Sequence, residues 1–233
     1  MKDFGNVDLF YSNFYDSVLR TGFIGAAQNR THRSIEKLWS SSDEFENVLE
    51  VGAGNGTHLQ FVKHMYSNYY ETDLRLPRQV DHLMVTESST AKSKQLIREF
   101  ADVLDLHYED NQFDRVIPTC LILHLEQPEK ALSEMRRVTK DGGVISILVP
   151  CEPGLILRIS RRLLTSPKAK RVGFAGYDLF NARDHINYLA SIDKLIHFVF
   201  RRDKIRISRL PFRWPSWNLN FYYIYTVYRG END

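Results

Sequence analysis

The stretch that most constrains this chain is NVLEVGAGNGTHLQFV, from Asn47 to Val62. An apolar run, Val48-Leu49-Glu50-Val51, meets three closely spaced glycines, Gly52, Gly54 and Gly56, and apolar residues resume at Leu59, Phe61 and Val62. A short apolar run ended by glycine predicts a buried strand over 46–51, and the periodicity after it predicts a helix over 58–66. Backbone this bare between a strand and a helix lets a ligand approach closely, because glycine has no Cβ to collide. Dinucleotide-binding folds place a third glycine in G-x-G-x-x-G, and here that position is Thr57, which counts against NAD. A second strand over 68–74 ends on Asp73, about twenty residues on, where a carboxylate can accept both hydroxyls of a ribose.

The rest of the chain alternates strand and helix. The stretch 83–86 has no clear assignment, 92–100 reads as a helix, and EFADVLDL reads as a short strand and turn. Residues 113–123 form a strand running into a loop. Ala131, Leu132, Met135 and Val138 give 128–138 the spacing of an amphipathic helix. Asp141-Gly142-Gly143 is a turn before a buried strand from Val144. This predicts an α/β fold with a parallel sheet and helices on both faces. After Pro150 the pattern becomes helical and loop-like. Two stretches of period two, 204–210 and from Leu219, then flank PFRWPSW and predict a hairpin at the sheet's edge. The 233 residues fit one domain. It divides into an N-terminal helical cap (1–40, aromatic at Phe10, Tyr11, Phe14 and Tyr15), a core (41–150), an insert (151–203) and a closing hairpin (204–233).

A net charge of +2 implies no nucleic-acid partner. No apolar run approaches the ~20 residues of a membrane span, and the polar, aromatic start is unlike a signal peptide. Two cysteines without a CxxC pairing fit a reducing, cytoplasmic setting. The eight histidines show no HExxH spacing, and no metal site is expected.

The segment from Glu50 to Gly56 resembles the first motif of class I S-adenosylmethionine-dependent methyltransferases of the type 11/12, small-molecule branch. The order of later segments extends the likeness over roughly 45–150: Asp73 in YYETDL, Asp102 in ADVLDL, NQFDRVIPTCLILHLEQPEKAL, and MRRVTKDGGVISILVP. The resemblance implies a Rossmann-like sheet of seven mostly parallel strands, closed by an antiparallel last strand, with a helical cap insert. It implies S-adenosyl-L-methionine as cofactor. Glu50, Gly52, Ala53, Gly54 and Gly56 would surround the methionine moiety, Asp73 and Leu74 the ribose, Asp102 and Val103 the adenine. Thr119 and Cys120 follow the fourth strand. Tyr11 and Tyr15 are either aromatic faces for the cationic sulfonium or core residues of the cap.

Methyl transfer needs nucleophile, methyl and sulfur in line, and an alcohol acceptor also needs a base. His124 lies where the family's acceptor site opens and is a candidate base, or a packing residue at the helix start. His185 is the second candidate, with Asp184 beside it. The Asn/Asp-Pro-Pro-Tyr motif of enzymes that methylate nucleic-acid amino groups is absent; that place reads Pro118-Thr119-Cys120-Leu121. A lone Cys120 is read as packing. The segment 158–171, RISRRLLTSPKAKR, is basic and free of acids. It is a solvated helix face, a site for a phosphate-bearing substrate, or a contact for an anionic membrane surface or nucleic acid. Trp214 and Trp217 suit a sugar or ring, or the core. The expected activity is methyl transfer to a small molecule, such as a sugar or nucleotide-sugar of surface-polysaccharide synthesis, by a monomer or homodimer. The alternatives are an RNA or protein methyltransferase, a dinucleotide-dependent oxidoreductase, or a silent cofactor-binding scaffold.

Overall fold

Strand β1 (Glu44–Val51) holds the centre of the sheet, and Val48, Leu49 and Val51 are buried. Adjacent residues of a strand face opposite sides, so a run buried throughout needs cover on both. The computed structural model describes residues 5–76, 81–85 (backbone) and 94–230. Within them, β2 (Met65–Thr72), β3 (Asp81–Val85), β4 (Lys94–Glu99), β5 (Phe113–Pro118), β6 (Thr139–Pro150), β7 (Lys204–Leu210) and β8 (Tyr222–Tyr228) join β1 in the order β3-β4-β2-β1-β5-β6-β8-β7. The strands from β4 to β6 run parallel; β8 is antiparallel to both β6 and β7.

The mostly parallel sheet closed by an antiparallel strand is as the sequence implies. One strand more than the expected seven is present: β3 pairs antiparallel to β4 at the edge, over the stretch that had no assignment.

One face is covered by α4 (Pro128–Val138) and α8 (Leu189–Val199). Met135, Leu132, Ile192 and Ile196 pack there with Leu49, Val116, Ile145 and Val227. On the other face, Ile35 at the end of α3 (Gly22–Ile35) packs with Val48, Tyr69, Ile117 and Leu148. The cap helices α1 (Val7–Asn13) and α2 (Tyr15–Leu19) make a separate core with the insert, in which Phe10 and Val18 meet Ala169, Phe174, Tyr177 and Phe180. The insert holds α5 (Leu155–Ser160), a π turn over Arg161–Thr165, α6 (Ser166–Arg171) and α7 (Tyr177–Asp184).

Three local expectations are corrected. The helix over 58–66 is a single 3-10 turn, Leu59–Phe61, before β2. His58 is buried there against Glu36 (2.9 Å) and His32 (3.0 Å), which anchors the chain inward and leaves no room for a surface helix. The helix over 92–100 is β4 across 94–99, paired to β2 and β3; two ladders of backbone hydrogen bonds override the weak helix preference of KQLIRE. Residues 92 and 93 lie outside the described residues, as does Thr86. The turn at Asp141–Gly143 is absorbed into β6, which kinks at Gly142 with φ +76. Among the described residues no helix is long and apolar enough to cross a membrane.

Candidate cofactor and acceptor site

The strands run outward from β1 in both directions, to β2 on one side and to β5 on the other. Their carboxyl ends therefore part at β1/β5 and open a crevice, the place where such sheets bind ligands. A cavity of about 690 Å³ lies there, within the range of small-molecule and cofactor sites.

The glycine loop forms its floor. Gly52 has φ +69, and a Cβ there would come within 2.9 Å of the Leu121 side chain. Gly56 has φ +68, and a Cβ there would strike the Glu71 carboxylate. Gly52, Ala53 and Gly54 line the cavity, whereas Gly56 faces away and lets the loop lie against β2. Arg98 of β4 pairs with Glu71 at 2.7 Å and donates to the Gly54 carbonyl at 3.4 Å, which holds the loop from below. Asp73 accepts hydrogen bonds from the Gly54 N–H (3.0 Å) and the Arg75 N–H (2.9 Å). Each of its oxygens keeps accepting capacity toward the cavity that it and Leu74 line.

Glu50 lines the cavity and is fully buried. Burial, with the Glu71 carboxylate nearby, pushes its carboxyl up to about 8, against the opposing hydrogen bond that the Tyr69 hydroxyl donates. A buried, nearly uncompensated acid at a strand end is a polar group waiting for a cationic partner. Val103 and Ala101 line the far end. Asp102 does not; its carboxylate accepts from the Leu104 N–H at 2.9 Å and shapes the turn.

Tyr11 and Tyr15 line the cavity from the cap, stacked at 5.4 Å. Guanidinium groups already lie over both rings: Arg75 is 4.0 Å from the Tyr11 centroid and Arg20 5.6 Å from that of Tyr15. Each ring thus already makes a cation–π contact with an arginine of this chain.

Thr119, Cys120 and His124 follow β5 and line the cavity with Leu125 and Tyr222. Cys120 takes φ +55, a left-handed conformation uncommon outside glycine. Burial, then Glu152, pushes its thiol up to about 12, so it is no nucleophile. His124 Nδ1 lies 3.0 Å from the Asp184 carbonyl and 3.2 Å from its carboxylate. A proton on Nδ1 serves both, which leaves Nε2 as the basic nitrogen. Burial would raise Asp184, but His124 and the Tyr11 hydroxyl, which donates at 2.8 Å, hold it below its usual range. His185 does not line the cavity. Its Nδ1 meets Glu152 at 2.5 Å, and Arg161 meets the same oxygen at 2.6 Å.

The sequence names Asp184 as a partner for His185; the fold brings its carboxylate nearer to His124, at 3.2 Å, with His185 Nε2 at 3.8 Å from the same oxygen. His124, Asp184 and His185 also offer three ligand atoms within 4.8 Å, a grouping the sequence reading did not foresee. Hydrogen bonds already engage His124 Nδ1, Asp184 and His185 Nδ1, and the group reads as a proton-handling network. The cavity residues Arg20, Gln28, Thr31 and His32 were also missed. They come from helices with no motif, and only the density of polar residues in α3 marks them.

Residues 49–147 match the sequence profile of a methyltransferase domain. The chain is 30% identical over 152 residues to a putative methyltransferase of Encephalitozoon cuniculi, covering 62% of this chain and 64% of that one. It is 31% identical over 102 residues to ajmaline N-methyltransferase of Rauvolfia serpentina, covering 44% and 35%. The chain therefore spans less than two thirds of the length of these curated relatives. In fold it is similar to a putative methyltransferase of Haloferax volcanii, solved in complex with the Trm112 methyltransferase activator, with TM-score 0.60, 12% identity, and 97% and 98% of the two chains covered.

Proposed function

We propose that the chain is a class I S-adenosylmethionine-dependent methyltransferase and that it transfers a methyl group to a small hydroxyl- or amine-bearing acceptor. The observation that carries this reading is the conjunction, in one cavity, of the positive-φ glycine loop, the Asp73 carboxylate and the buried Glu50. They fit the cofactor group by group. Gly52 to Gly54 leave space for the methionine tail and Glu50 meets its ammonium. Asp73 accepts from the ribose hydroxyls, while Ala101 and Val103 face the adenine. S-adenosylmethionine supplies an electrophilic methyl on sulfur.

This chain's residues do the rest. Tyr11 and Tyr15 present aromatic faces on the cap side. His124 Nε2 takes the acceptor's proton, and Asp184 holds the ring's tautomer. Side chains of α1 and α2 cover part of the cavity, which suits a small acceptor. In the sequence, the basic segment and the tryptophans point toward a nucleotide-sugar. Neither Trp214 nor Trp217, nor any cation of 158–171, lines the cavity, and that finer reading loses its support.

Calorimetry with S-adenosylmethionine, S-adenosylhomocysteine and NAD tests the proposal. Binding of the sulfur compounds alone, weakened by about 10-fold or more in Asp73→Ala, is expected. Binding of NAD, or of none of them, overturns it.

A further inference from the structure

The basic segment carries a second feature that the cavity does not use. From Leu155 to Arg171 the chain is helical throughout, through α5, the π turn and α6, and contains no acidic residue. Leu155, Ile159 and Leu163, spaced by four, are exposed, Leu163 by 67%, and Leu164 joins them. Arg158 and Arg162 follow the same spacing and are exposed beside that stripe. Arg158, Arg162, Lys170 and Arg171 have no hydrogen bond or ion pair among the described residues, whereas Arg161 and Lys168 are engaged with Glu152 and Thr21.

The start of this helix is seated on the loop between β7 and β8. The Leu155 N–H donates to Asn218 Oδ1 (3.2 Å) and the Ile156 N–H to the Asn218 carbonyl (3.0 Å). On either side of that contact Trp217 and Leu219 are exposed, and Phe212 and Trp214 follow, Trp214 by 76%. Arg213 adds an exposed cation. Two segments distant in sequence thus meet at Asn218, and both carry exposed aliphatic or aromatic side chains together with exposed cations.

We propose that this patch docks the protein on an anionic lipid bilayer, with α5 and α6 lying in the interface plane. The chemistry selects this occupant. Exposed Leu and Ile have no role against a phosphate backbone, but in a headgroup layer they bury apolar area while the arginines beside them meet anionic lipid. Tryptophans at the rim match the interface, where one end of the ring is apolar and the other wet. The inference is independent of methyl transfer.

Co-sedimentation of the full chain with phosphatidylcholine vesicles, with and without about 30 mol% phosphatidylglycerol, tests it. Binding to the anionic vesicles alone is expected, lost in high salt, with a blue shift of tryptophan emission. Arg158→Glu/Arg162→Glu and, separately, Leu163→Glu each weaken binding by about 10-fold or more, with melting temperature and S-adenosylmethionine affinity unchanged because these side chains are exposed and outside the cavity. No binding to anionic vesicles, or equal binding by the folded variants, overturns the proposal. So does tighter binding of single-stranded RNA that Leu163→Glu leaves intact, which would make the patch a nucleic-acid surface.

Discussion

Glu50 concentrates the tension between stability and binding in one side chain. The folded protein keeps its carboxyl protonated to about pH 8, whereas an unfolded carboxyl ionises near the ordinary 4.5. Between those values the folded state binds more protons, so stability falls as pH rises. Glu50→Gln removes the buried ionisation and keeps an acceptor for the Tyr69 hydroxyl. Its melting temperature should match the parent near pH 4.5 and exceed it at pH 8, by a stability gain of at least about 1 kcal/mol. The same change should weaken S-adenosylmethionine binding, because the cationic ammonium loses its partner. A variant no more stable at pH 8 would remove Glu50 as a site of stored electrostatic cost.

Three elements converge on Asp184. It ends α7, receives the Tyr11 hydroxyl from α1, and fixes His124 in the turn after β5. The contact at His124 is the one with consequences for rate, since a carboxylate that sets a histidine's tautomer also stabilises the imidazolium formed on taking a proton. Asp184→Asn should lower kcat by about 10²-fold or more, with the KM for cofactor little changed. A variant with unchanged kcat and a lowered melting temperature would assign Asp184 a packing role only. Cap and insert share their own core around Phe10 and Phe180, so α1 and α7 are presented to the sheet together.

At the scale of the whole molecule, one buried network ties the N-terminal helices to the sheet. Arg115 of β5, fully buried, makes two hydrogen bonds to Glu36 at 2.7 and 2.9 Å, and Glu36 receives His58, which meets His32. Burial, then His58 and Arg20, lowers His32 to about 3, while the hydrogen bonds of His58 and Arg115 outweigh burial and lower Glu36 to about 2. Both shifts have one sign for stability. An unfolded histidine gains its proton near 6.5 and an unfolded glutamate near 4.5, while the folded groups resist. The contribution of this network is therefore fully present above pH 6.5 and is lost as pH falls from there toward 2, opposite in sign to that of Glu50. Denaturant unfolding of the parent and of His32→Gln isolates it: the stability difference between the two should change as pH falls below 6.5, and a difference constant with pH would count against the network.

The glycine loop, the acid after the second strand and the amphipathic spacing of 128–138 were legible in sequence, because each is a local demand. A left-handed backbone needs glycine, a ribose needs an acid, and a helix shows its buried stripe every three to four residues. These local signals point to a mostly parallel sheet with a ligand loop at the end of its first strand, and the strand order that opens the crevice at β1/β5 came from the tertiary structure. Tertiary structure alone decided the rest. The register of β4 between two neighbours made a strand of a helical-looking run, and burial of His58 replaced a helix with one turn. Asp184 went to His124 across sixty residues of chain, and the tryptophans turned outward beside the basic helix. Such outcomes depend on which distant groups meet in the folded core, where burial and pairing decide energies that no local spacing records.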